Sequence, residues 1–235
     1  MTCDGGTQAA SCGLAHNAMA IIRIPLLLAT SALFLAGCSS TYYGAMEKIG
    51  FAKRDILVTR VEKAQTAQEE AKVQFTDALQ HFLSVTKVDG GELKLKYDEL
   101  NDQLKQCESR AKAVNDRIGS IDEVANALFD EWGNELVQYG NPTLRSQSQQ
   151  QLQATRVRYG ELMTAMRRAE SRMEPILVSF RDQVLFLKHN LNAQALRSLD
   201  TTSRALQGDI ANLVRDMEKS IREADAFIRE MKPLQ

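Results

Sequence analysis

The fold is decided by the stretch Leu100-Asn101-Asp102-Gln103-Leu104-Lys105-Gln106-Cys107-Glu108-Ser109-Arg110-Ala111-Lys112-Ala113-Val114-Asn115-Asp116-Arg117-Ile118-Gly119-Ser120-Ile121. Leu100, Leu104, Cys107, Ala111, Val114, Ile118 and Ile121 recur at alternating steps of four and three, with almost only polar residues between them. An α-helix turns once every 3.6 residues, so this spacing lays the seven side chains along one stripe, the seam of a coiled-coil type of packing. A half-buried strand would alternate every second residue instead.

The same stepping continues in both directions. It runs back to Leu93 and Tyr97 and forward through Ala125, Leu128, Trp132, Glu135 and Tyr139. A first segment carries Leu57, Val61, Ala64, Gln68, Ala71, Phe75, Ala78, Phe82 and Val85. A third carries Leu152, Thr155, Tyr159, Leu162, Met166, Ala169, Met173, Ile176, Phe180, Gln183 and Leu187. A fourth carries Leu196, Leu199, Ser203, Leu206, Ile210, Leu213, Met217, Ser220, Ala224, Phe227 and Met231. Of these 45 positions 39 are apolar, where a chain that is 44% apolar would place roughly 20 by chance.

Breakers separate the segments: Asp89-Gly90-Gly91, Gly140-Asn141-Pro142 and Asn190-Leu191-Asn192. Short turns join antiparallel neighbours. Val124, Phe129, Leu136 and Val137 widen the second stripe, and Met163, Leu177 and Val184 widen the third. A face that wide meets two neighbours, so the expectation is all-α: an elongated, antiparallel, up-down-up-down four-helix bundle over 45–235. The spacing predicts helices over 45–88, 92–139, 143–190 and 193–232. Segment 92–139 has 6 basic and 11 acidic residues and segment 143–190 has 8 and 4, so their flanks are expected to pair. Pro175 should kink the third segment or divide it into two helices.

Composition agrees with this reading. The chain has 235 residues, 29 Lys plus Arg and 30 Asp plus Glu, with only four Pro and 13 Gly. A net charge of -1 argues against a nucleic-acid partner.

The N-terminal region has another character. Residues 1–18 hold no Lys or Arg and no periodicity, and read as an over-extended gene start before Met19. Residues 19–37 read as a signal peptide: one Arg at position 23, then an apolar run to Leu35 too short to span a bilayer comfortably. The run ends Leu35-Ala36-Gly37-Cys38, which resembles the lipobox of bacterial lipoproteins. That resemblance implies cleavage before Cys38, lipid attachment to its sulfur, and a membrane partner through the N-terminal lipid. Each buried CH₂ of such chains contributes about 0.8 kcal/mol. Ser39, where an aspartate goes with inner-membrane retention, implies the outer membrane with the protein facing the periplasm. Residues 38–44 read as a short anchor linker, in which Tyr42 and Tyr43 suit either the headgroup layer or the end of the bundle.

Chemistry is sparse. His81 and His189 lack the Glu three residues earlier that a di-iron bundle uses, and no CxxC, HExxH, GxSxG or phosphate-binding loop occurs. No catalytic, metal or cofactor residues are therefore assigned, and the chain is read as not an enzyme. Cys107, Trp132 and Tyr139 lie on the seam and are expected in the core. The run Arg156, Arg158, Arg167, Arg168, Arg172 is read as a face paired with acidic segment two rather than a polymer- or lipid-binding patch. Asp130, Glu131 and Glu135 are read as a solvated flank.

Several stretches together carry a likeness: Lys53-Arg54-Asp55-Ile56-Leu57-Val58, residues 68–75, Ala127-Leu128-Phe129-Asp130-Glu131-Trp132, Phe180 to Ala193, and Glu223-Ala224-Asp225-Ala226-Phe227-Ile228. They resemble the bacterial lipoprotein family known as domain of unknown function 2959. The resemblance implies a helical envelope lipoprotein and carries no activity with it.

Two functions compete on this reading. One is a non-enzymatic, lipid-anchored scaffold that binds an envelope protein partner; the other is a bundle that holds an apolar ligand or lipid between its helices. For the first, the polar cluster Lys188, His189, Asn190 and Asn192 is the expected partner contact, at the turn far from the anchor. Its plainer role is capping, with Asn190 left-handed at a helix end and Asn192 starting the next helix.

Overall fold

A computed structural model of the chain describes residues 53–85, 93–190 and 193–232, and side chains throughout these except between 193 and 202. The signal segment, Cys38, the 38–44 linker with Tyr42 and Tyr43, residues 45–52, Asp89-Gly90-Gly91, Asn192 and the side chains of Leu196 and Leu199 lie outside that description. The unit that begins at Ala52 contains every described residue.

Among the described residues four helices make up the fold: α1 over Lys53–Val85, α2 over Leu93–Glu135, α3 over Pro142–His189 and α4 over Ala193–Met231. A 3-10 turn over Leu136–Gln138 follows α2. Packing closes a ring in which α1 lies against α2 and α4, and α3 lies against α2 and α4. Pairs along each contact run in opposite directions. Lys53 meets Glu131 while Glu70 meets Arg110, and Asp122 meets Tyr159 while Glu108 meets Arg181. Glu230 meets Arg158 while Asp216 meets Arg168, and Glu62 meets Lys232 while Gln68 meets Ser220. All four neighbours are antiparallel, an up-down-up-down bundle. At 1.5 Å per residue, α3 with its 48 residues is about 70 Å long.

The seam fills the interior. All nine expected positions of α1, from Leu57 to Val85, are buried. So are Leu100, Leu104, Cys107, Val114, Ile118 and Ile121 of α2, and every described seam position of α4 from Ser203 to Met231. Phe82 meets Phe180 edge-on across the bundle, with ring centroids 5.8 Å apart. Tyr159 sits between Phe129 at 5.4 Å and Phe227 at 6.5 Å, joining α2, α3 and α4 in one layer. One polar pair lies in this apolar interior: Ser220 donates to Gln68 Oε1 at 2.8 Å, and both residues are wholly buried.

Pro175 does not divide α3, which runs unbroken from Pro142 to His189. The proline is exposed and so is Ser171, whose carbonyl loses its donor, so the missing hydrogen bond falls on the solvent side. The α2–α3 connection also differs from the expected turn. Helix geometry ends at Glu135, four residues before Tyr139, and Asn141 caps α3 by accepting from the N–H groups of Thr143 at 2.9 Å and Leu144 at 3.3 Å. Pro142 follows at the first helical position, where its missing N–H costs nothing.

Candidate functional site

The flanks of the bundle are largely self-satisfied. Asp216 on α4 accepts from Arg168 at 3.1 Å and from Arg172, and its side chain is only 13% exposed. Burial alone would raise its pKa, but the hydrogen bonds and charges of Arg172 and Arg168 outweigh burial and hold the carboxyl below its ordinary value. Arg158 pairs with Glu161 and with Glu230 of α4, and Arg167 pairs with Glu170 and with Asp122 of α2. Arg156 lies over the Phe129 ring, 5.4 Å from its centroid. The basic run is thus a paired face. Its partners are mostly on α4, however, and not on acidic α2 as the net charges suggest, because only Arg167 and Arg156 of the five point across the α2–α3 groove. Glu131 is likewise not a free flank charge; it accepts from Lys53 at 2.7 Å.

Tyr159 donates to Asp122 at 2.5 Å, and burial first, then this hydrogen bond, raise its pKa above the ordinary tyrosine value. The network continues through Arg167 and Glu170 to Asn115. It lines part of an open groove of about 690 Å³ between α2 and α3, whose remaining charges include the Arg181–Glu108 pair. Every charge in that network has its counter-charge within the fold, so it offers no poised acid or base. Cys107 is buried, donates to the Gln74 carbonyl at 3.8 Å, and has its pKa pushed up to about 12 by burial. It is a small core residue and not a thiolate nucleophile. Among the described residues no group of three His, Cys, Asp or Glu is placed to hold a metal ion. No described helix is long and apolar enough to cross a membrane.

Single exposed apolar residues, Val73, Val157 and Val178, dot the flanks, and others group at the two ends. At one end α3 finishes on Lys188 and His189, both exposed, and α4 starts at Ala193. Asn190 is the C-cap at φ −130°, ψ 57°, so it is not left-handed as expected. Its backbone N–H instead donates to the Leu187 carbonyl at 3.2 Å and its side chain to the Phe186 carbonyl at 3.0 Å, which closes the last turn without a left-handed residue. Of the four expected contact residues, the structure brings Lys188, His189 and Asn190 together, and Asn192 lies outside the described residues. Beside them Leu185 is 55% and Phe186 40% exposed. These two were missed, yet the signal was in the sequence: the seam in that turn is Gln183 and Leu187, widened by Val184, and both apolar residues fall off it.

At the other end the α2–α3 hairpin outruns its neighbours. The α1 helix begins at Lys53 opposite Glu131, and α4 ends at Met231 near Arg158. Beyond that level, among the described residues, α2 and α3 have little but each other. Trp132 is half-buried, donates to Ser148 Oγ at 2.8 Å and lies under the Arg54 guanidinium at 5.9 Å. Tyr139 and Val137, expected in or beside the core, are 41% and 70% exposed, and Leu144 is 51% exposed. The seam rule assumes partners on both sides, and here two of the four helices have ended.

A family model described as "Protein of unknown function (DUF2959)" matches residues 42–231. The chain belongs to this family. That match covers the whole described bundle, and the family carries no activity to transfer to these residues. No curated protein and no solved structure matches the chain.

Proposed function

We propose that this DUF2959 member is a non-enzymatic, lipid-anchored bundle of the bacterial envelope that binds a partner protein, held through an acylated Cys38 in the outer membrane and facing the periplasm. The observation that carries the reading is Leu35-Ala36-Gly37-Cys38 at the end of a short apolar run, fifteen residues before the bundle starts at Lys53. A covalent lipid holds a domain at a membrane without a spanning helix. Flanks whose charges neutralise one another and a thiol sealed in the core support a structural role over a catalytic one. The partner contact is the end of α3, where Lys188 and His189 stand beside exposed Leu185 and Phe186, a mixed basic and apolar surface on a rigid helix end.

Intact mass of the protein extracted from membranes tests the anchor. The expected species begins at Cys38 and carries the added lipid; an unmodified chain, or one that retains residues 19–37, overturns it. For the partner contact, Lys188→Ala with His189→Ala should remove envelope crosslinks without moving the melting temperature. Unchanged crosslinking would refute that contact.

A further inference from the structure

The turn between α2 and α3 is a preformed wedge. Asn141 caps one side, the Trp132–Ser148 hydrogen bond ties the two helices, and Val137, Tyr139 and Leu144 face solvent at the tip. Three exposed apolar side chains grouped at one turn mark a candidate contact. Three features of this end decide what it meets. From Leu136 to Gly160 the sequence has no Asp or Glu and three arginines, of which Arg145 is at the tip and exposed. The nearest carboxylate is exposed Glu135, beside Gln138 and Tyr139, while Glu131 behind it is held by Lys53. The tip is also at the end of the bundle where the chain enters α1. A link of fifteen residues spans at most about 50 Å, so an anchor at Cys38 keeps this end, and not the Lys188 end, near the bilayer. Finally, three side chains are far below the roughly 800 Å² per partner of a stable protein interface, which argues against a second copy of the chain.

We infer that the α2–α3 tip is a second membrane contact, with Val137, Tyr139 and Leu144 entering the boundary between headgroups and acyl chains while Arg145 meets anionic headgroups. Tyrosine suits that boundary because its ring is apolar and its hydroxyl stays hydrated. Apolar side chains backed by a basic one are what interfacial binding uses. The inference rests on the lipid-anchored reading proposed above. Two points of attachment would fix the bundle's direction relative to the membrane, which a single attachment does not.

The test uses full-length protein reconstituted in vesicles of phosphatidylethanolamine and phosphatidylglycerol, with a nitroxide attached at Val137→Cys, at Leu144→Cys or, as control, at Val73→Cys. Val73 is 51% exposed on α1, about 30 Å along the bundle, so all three changes are on the surface and leave the fold intact. Buried Cys107 does not compete for the label. Collision of the label with oxygen, which concentrates in lipid, is compared with collision with a water-soluble nickel chelate. At 137 and 144 the oxygen-to-nickel ratio should exceed that at 73 several-fold. Equal ratios on vesicles that still carry the protein overturn the tip contact and leave the anchor standing. Low access to both reagents at 137, with crosslinked dimers, would show a second copy covering the tip and also overturn it. Protein that fails to float with the vesicles overturns both readings.

Discussion

Replacing Gln68 by methionine should stabilise the bundle. The Gln68 side chain is wholly buried among seam residues, and its Oε1 accepts from Ser220 Oγ at 2.8 Å. Its Nε2 is buried and has no hydrogen-bond partner. A buried polar group left unpaired costs about 1–3 kcal/mol, whereas one neutral hydrogen bond contributes about 1 kcal/mol net. Methionine conserves the volume, and such swaps cost less than about 1.5 kcal/mol. The freed Ser220 hydroxyl can turn to the carbonyl of Asp216, four residues back on the same helix. These terms leave a net gain of about 1 kcal/mol, or a melting temperature roughly 2–4 °C higher for a domain of this size. Thermal melts followed by circular dichroism read the shift, and a cycle with Ser220→Ala isolates the pair. A fall of several degrees in Gln68→Met would refute the reasoning, because it would mean the amide is satisfied and the pair is a net stabiliser.

Phe129→Ala should cost about 3 kcal/mol or more in thermal or denaturant unfolding, since Phe129 is 5% exposed and stacks edge-on with Tyr159, while Leu128→Ala, half-buried, should cost under about half of that. Equal losses would put the seam of α2 back on Leu128. Asp216→Asn should lower the melting temperature at pH 7 by the equivalent of about 1 kcal/mol, a modest figure because Arg168 and Arg172 remain open to solvent. The folded Asp216 pKa lies below its unfolded value, so its contribution is present above about pH 4 and is lost as pH falls through the folded pKa. The gap between Asp216→Asn and the parent protein should therefore close in acid, and a gap that widens there would refute the pairing.

The architecture was legible because a seam is a local signal with a global cause. Each step of three or four, as from Leu100 to Leu104 to Cys107, needs only its own helix to be read, and burial against two neighbours is what sustains it over 40 residues. The same logic explains the errors. The steps Leu128, Trp132, Tyr139 continue the arithmetic after the neighbours have stopped, so the pattern persists on paper while the surroundings vanish. Near Phe129 the buried side of α2 turns toward α3, where Tyr159 packs on it, and α1 still reaches Glu131 and Trp132 through Lys53 and Arg54. Pairing among charged residues was less legible. Net charges of whole segments suggested that α3 leans on α2, but Asp216 on α4 takes two of the arginines. Charge sums carry no angular information, and the side of a helix on which an arginine stands decides its partner. The two polar seam positions, Gln68 and Ser220, read separately as lapses in an apolar stripe; their meeting across α1 and α4 depends on tertiary register that neither segment contains.

Parity then assigns the ends. In four antiparallel helices the α2–α3 connection shares an end with the start of α1 and the finish of α4, and the α3–α4 connection stands at the opposite end. The exposed apolar residues of the connections divide accordingly: Val137, Tyr139 and Leu144 at the first end, without a carboxylate from residue 136 to 160, and Leu185 and Phe186 at the second, with Asp182 and Lys188 as close charged neighbours. An apolar tip with a tyrosine and an arginine at the end where the chain enters α1 suits lipid, whereas the Leu185–Phe186 surface at the far end suits a protein. On the proposed anchoring, α3 is the element that sets the distance between the two. Its 48 residues place a partner about 70 Å from the bilayer, and removing whole heptads from α3 together with their facing turns in the other helices would shorten that reach by about 10 Å each while preserving the seam.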